Sequence, residues 1–177
     1  MKVNIAEGTT FPDYELPDHN KKLYKLSEIQ GADALIVVLA RGYHCRGDRL
    51  QHRLLVPFYP ELQEGFTKII TIINGNWKAA NVFRNRVGAK WPFLYDSRNI
   101  IVRDLDIEDK NSERKNSIIP YTFILSPGLI IYKIYNGYWY WDRPAIEDLR
   151  KDLRTLHKEI RPQWDSSNPD FLDTRLI

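Results

Sequence analysis

The run ALIVVLA at residues 34–40 constrains this chain more than any other stretch, because all seven positions are apolar. A strand with one wet face alternates polar and apolar residues. A strand without alternation must be covered on both faces, as in a parallel sheet between helices. The run passes through Arg41-Gly42 to the sole cysteine, Cys45, where a charged amphipathic stretch begins. The local prediction is a buried strand, a tight turn and a thiol at a helix start. Free backbone N–H groups and the positive end of the helix dipole favour a thiolate at such a position.

The flanking pattern extends this reading. Residues 10–25 carry Pro12, Pro17 and the turn-like Pro17-Asp18-His19-Asn20, which predicts a small hairpin. After Cys45, residues Leu50, Leu54, Leu55, Phe58 and Leu62 recur near a period of 3.6, predicting a helix that kinks at Pro57 and Pro60. TKIITII at 67–73 is a second buried strand. Asn76 is placed to cap a helix with Trp77, Ala80, Phe83 and Val87 on one face and Gly88 at its end. A short strand follows Pro92, then a brief helix capped by Ser97, then a polar loop over 106–117. Pro127-Gly128 joins strands at 121–125 and 129–135 through a type II turn. Residues 142–160 form a last helix with Ile146, Leu149, Leu153, Leu156 and Ile160 inward, and Asp142 and Pro144 at its start. The fold class is α/β: a three-layer sandwich, with a mixed central sheet and helices on both faces. The expected division is a domain over 1–160 and an irregular arm over 161–177.

Composition narrows the function classes. At 177 residues and 43% hydrophobic the chain can build a sizeable core. A formal net charge of +3 without a basic block gives no ground for nucleic acid or membrane as partner. The first eighteen residues are too polar for a signal peptide, and no apolar run reaches membrane-spanning length. One cysteine makes no internal disulfide, which points to a reducing cytoplasm. Zinc is rejected, since a Cys–His site built on Cys45 and His52 would need more ligands than the sequence supplies.

Taken in order, GTTFPDYELPDHNKKLYKLSEIQG, LIVVLARGYHC, Pro60-Glu61 before TKIITII, and IIPYTFILSPGLIIYKIYNG resemble the peroxiredoxins (alkyl hydroperoxide reductase and thiol-specific antioxidant, or redoxin, proteins). The resemblance spans most of residues 8–160. It implies a thioredoxin-like fold and a peroxidatic Cys45 that attacks a hydroperoxide. With a single cysteine it further implies an external thiol reductant and no bound cofactor. The family's P-x-x-x-T-x-x-C is matched at the cysteine, but Val38 stands at its proline and Gly42 at its threonine. Its arginine before the closing hairpin is replaced by Pro120, which resembles the thioredoxin-type cis-proline beside the active cysteine.

From Arg41 to Arg53 there are four arginines and two histidines against one acid, Asp48, a setting that biases a thiol toward thiolate. Arg41 and Arg46 are the expected substitutes for the missing arginine, with Gly42, Tyr43, His44 and Pro120 completing the support around the thiol or the peroxide. Tyr135, Tyr138, Trp139, Tyr140 and Trp141 put five aromatics in seven positions, more than one face can bury, and Tyr138, Trp139, Tyr140 and Trp141 are the candidates for a homodimer or partner interface. The leading function is thus a one-cysteine thiol peroxidase with antioxidant activity. The alternative is a thioredoxin-fold binding, scaffold or thiol-sensing protein that has lost catalysis.

Overall fold

The computed structural model describes residues 2–139 and 142–164. A five-stranded mixed sheet carries the molecule, in the order β5-β4-β3-β6-β7. These strands are β3 (Ala34–Ala40), β4 (Thr67–Ile73), β5 (Phe93–Tyr95), β6 (Tyr121–Ser126) and β7 (Ile130–Asn136). Strands β3, β4 and β5 are parallel, whereas β6 and β7 run antiparallel and complete the other edge. A separate hairpin, β1 (Glu15–Pro17) with β2 (Leu23–Lys25), leads in.

All seven residues of β3 are buried, and the central position of the strand explains why. Leu35, Val37 and Leu39 enter one core with Phe11, Phe123, Ile101 and Leu105. Ala34, Ile36, Val38 and Ala40 enter the other with Leu55, Phe83, Trp91 and Leu149. The first core is roofed by α1 (Leu26–Gln30) and α4 (Ile100–Leu105). The second is roofed by α2 (Arg46–Glu64), α3 (Trp77–Val87) and α5 (Ile146–Ile160). This is the three-layer sandwich expected from the lack of alternation.

Several local expectations shift. Helix α2 continues through Pro57 and Pro60 as one element rather than ending near Val56, in keeping with a stripe that stays in phase. Its buried face is Asp48, Gln51, His52, Leu55, Phe58 and Leu62, while Leu50 and Leu54 are 44% and 56% exposed. The core-facing stripe is thus rotated so that three polar residues point inward, each satisfied by hydrogen bonds. Asn99, rather than Ser97, stands at the start of α4, and Asp96 Oδ2 accepts from Ile101 N of its first turn at 2.8 Å. Helix α5 starts at Ile146, four residues after the expected Asp142, and Asp148 Oδ2 accepts from Ala145 N. Asn76 Oδ1 accepts from Ala79 N as expected of a cap, and Gly88 closes α3 at a φ of 75°. Trp77 does not join the buried face of α3; it is 41% exposed and its Nε1 donates to His19 O. Gly128 has the positive φ of 83° that the turn position demands, but Leu129 follows at 58°, so β7 begins one residue later than expected. The peptide bond before Pro120 is trans, not the cis form that the resemblance implied.

Candidate active site

Cys45 is the residue that caps α2, half-buried, in a turn closed by its own N–H donating to Gly42 O. Its side chain makes no capping hydrogen bond, which leaves the sulfur free for other partners. The turn is held from below by Asp48. This fully buried carboxylate accepts from Arg41 N at 2.7 Å and Gly42 N at 3.2 Å through Oδ2. Its other oxygen, Oδ1, accepts from Arg143 Nη2 at 2.6 Å. The same Nη2 lies 3.6 Å from Cys45 Sγ and donates to it. A buried carboxylate thus fixes a guanidinium directly against the thiol.

Arg143 comes from the segment after β7, far from Cys45 in sequence. Two glycines let it in. A Cβ on Gly47 would lie 2.7 Å from Arg143 Nη1 and 2.8 Å from Cζ, so only glycine leaves the first turn of α2 open to the guanidinium. A Cβ on Gly137 would lie 3.0 Å from Pro120 O and 3.4 Å from Arg143 Cγ. Arg143 itself is 12% exposed, and its Nε is buried without an acceptor.

The residues expected around the thiol are placed as follows. Arg41 borders the cleft, but its guanidinium is committed to Ile118 O at 2.6 Å and Asp109 Oδ2 at 2.7 Å. Arg46 is exposed on the cleft rim. Tyr43 turns away to Phe83, with the guanidinium groups of Arg49 and Arg86 over its ring. His44 faces a neighbouring cavity, and burial together with Arg114 holds its pKa below the usual histidine value. Gly42 has a φ of 118°, a left-handed backbone that the family's threonine would adopt only with strain, and its N–H is occupied by Asp48. Pro120 is buried one layer below the cleft, where its carbonyl accepts from Gly137 N. Tyr138 and Trp139 wall the cleft, 39% and 60% exposed, with their rings edge to face at 5.2 Å. Tyr140 and Trp141 lie outside the described residues. The cleft holds about 280 Å³. Among the described residues, Arg143 is the side chain that hydrogen-bonds Sγ; sequence reasoning missed it, because nothing in the spacing of a post-hairpin arginine ties it to Cys45.

A second polar chain lies behind the turn. His52 is fully buried, with Nδ1 on Asp48 O at 2.7 Å and Nε2 on Thr71 Oγ1 at 2.9 Å. A carbonyl only accepts, so Nδ1 carries the proton and Nε2 accepts from the Thr71 hydroxyl. Trp91 Nε1 donates to the same hydroxyl at 3.0 Å. Burial pushes the His52 pKa down to about 4, so the ring is neutral and serves structure. Gln51 Nε2 donates to Thr122 Oγ1, joining α2 to β6. Among the described residues no group of His, Cys, Asp and Glu is arranged to hold a metal ion, and no helix is long and apolar enough to cross a membrane.

A mixed sheet between helices, with a cysteine at the helix start after its central strand, defines a thioredoxin-fold redoxin. The chain belongs to the AhpC/TSA family, whose model matches residues 8–134. It is 23% identical over 137 residues to the thiol-disulfide oxidoreductase ResA of Bacillus subtilis (strain 168), covering 77% of this chain and 70% of ResA. The fold matches peroxidoxin BcpB of Mycobacterium tuberculosis at a TM-score of 0.73 and 16% identity, over 87% of this chain and 97% of that one. It also matches a bacterioferritin comigratory protein of Xanthomonas campestris, described for alkyl peroxide reduction, at a TM-score of 0.67 and 18% identity. That match covers 84% of this chain and 93% of its counterpart.

Proposed function

We propose that this redoxin is a one-cysteine thiol peroxidase in which Cys45 is the nucleophile and Arg143 replaces the family's missing arginine. The observation that carries the reading is the shared Nη2 of Arg143, bonded to buried Asp48 and donating to Cys45 Sγ at 3.6 Å. In the reaction, the Cys45 thiolate attacks the terminal oxygen of a hydroperoxide. The S–O bond forms as the O–O bond breaks, and the departing alkoxide takes a proton to leave as alcohol, or as water from hydrogen peroxide. Negative charge builds on the two oxygens, next to a fixed cation in a half-buried cleft, where preorganised donors are most effective. The resulting sulfenic acid meets no second cysteine in this sequence. An external thiol therefore condenses with it to a mixed disulfide and water, and a second thiol releases Cys45. A reducing compartment, the cytoplasm by this reading, supplies those thiols.

The test is peroxide titration of wild type and Cys45→Ser, following sulfenate with a trapping reagent. Wild type forms sulfenate well above the rate of a free thiol, and Cys45→Ser forms none. A wild-type rate equal to that of a free thiol removes the peroxidase reading. A second reading is favoured by the exposed Tyr138 and Trp139 beside Cys45: a binding or thiol-sensing protein whose partner, a second copy included, covers those rings. It predicts slow labelling of Cys45 in the native protein and association lost in Trp139→Ala.

A further inference from the structure

The surface beside Cys45 carries more positive charge than the peroxide step uses. On the far side of Arg41, a second cavity of about 250 Å³ opens between the ends of β3 and β4 and the 106–117 loop. Its wall includes Arg41, His44, Asn74, Arg114 and Lys115, and no carboxylate among the described residues lines it. Arg41 is held in place by Ile118 O and Asp109. Arg114 and Lys115 make no ion pair among the described residues, so their charge is free for a ligand.

Two features fix what fits. The volume lies just below the range of pockets that enclose whole drug-sized ligands, so the cavity accepts one charged end of a small molecule. Its position decides where the other end goes: His44 immediately precedes Cys45, and Arg41 borders both this cavity and the thiol cleft. We propose that the cavity binds the carboxylate of a small mercapto-carboxylate reductant, whose sulfur reaches Cys45 past Arg41. This rests on the peroxidase reading and names its reductant. The thiol attacks the Cys45 sulfenic sulfur, an S–S bond forms, and the hydroxyl leaves as water with the thiol's proton. A second molecule of the same thiol then attacks the mixed disulfide, giving the symmetrical disulfide and free Cys45. The peroxide needs only the Arg143 side of the cleft.

The experiment uses the full chain and the double variant R114A/K115A, both residues being exposed on the loop. Reduced Cys45 is reacted with dithiobis(nitrobenzoate), which carries a carboxylate on each half, and with neutral dithiodipyridine. Neither reaction needs peroxide, so a failure of the peroxidase reading shows separately, as absent sulfenate. The dicarboxylate reaction slows about tenfold in the double variant, the neutral reaction stays within about twofold, and high salt erases the difference. Where sulfenate forms, 3-mercaptopropionate reduces it faster than 2-mercaptoethanol at equal thiolate, and the advantage disappears in the variant. Equal effects on both disulfides, no effect, or a Cys45 inert to both overturns the proposal. A charge preference confined to carboxylate-bearing peroxides also overturns it and assigns the cavity to the oxidant.

Discussion

Replacing Arg143 by methionine removes the donor to Cys45 Sγ and strands the Asp48 carboxylate with two backbone amides as its remaining partners. Breaking a buried pair in this way costs about 3–5 kcal/mol, read as a lower urea midpoint. On the protein that remains folded, sulfenate formation slows about a hundredfold, the usual loss for one preorganised donor. Gly47→Ala reaches the same contact from the helix side. Its Cβ occupies the space of the Arg143 guanidinium, so the bonds to both Cys45 Sγ and Asp48 are disturbed and peroxide reactivity drops in stopped-flow measurements. The urea midpoint falls less than in Arg143→Met, because alanine returns about 0.5–1 kcal/mol of helix propensity.

At the scale of elements, α2 has two separable faces. Leu55→Ala opens a hole in the core and costs about 2–5 kcal/mol in urea unfolding. Leu50→Ser and Leu54→Ser, on the exposed face, stay within about 0.5 kcal/mol of wild type. The same helix makes stability depend on pH through His52. Its folded pKa, about 4, lies below the ordinary histidine value of 6.5, so acid favours the unfolded chain, which binds the proton more readily. The contribution is complete above pH 6.5 and is lost as pH falls toward 4, about 3 kcal/mol in all, measurable by urea titrations across that range.

At the scale of the whole molecule, β3 belongs to both cores, so neither helical layer can leave without exposing the other's strands. Unfolding followed by tryptophan fluorescence, to which buried Trp91 contributes, and by far-ultraviolet dichroism gives one coincident transition. The sheet and its two covers were legible in the sequence because burial on both faces leaves a local mark: seven apolar residues without alternation. The turn, the position of Cys45 and the order of elements were legible for the same reason, since glycine, proline and periodicity act over a few residues. The inward face of α2 was not, because Asp48, Gln51 and His52 read as surface until Arg143, Thr122 and Thr71 are in place to satisfy them. Nor was the Pro120 peptide, whose isomer the surrounding chain selects. The sequence by itself determined that a single thiol sits at a helix start after a buried strand. Only the tertiary structure decided which cation meets it, because Arg143 reaches Cys45 across 98 residues through a gap left by two glycines, and no local pattern encodes that meeting.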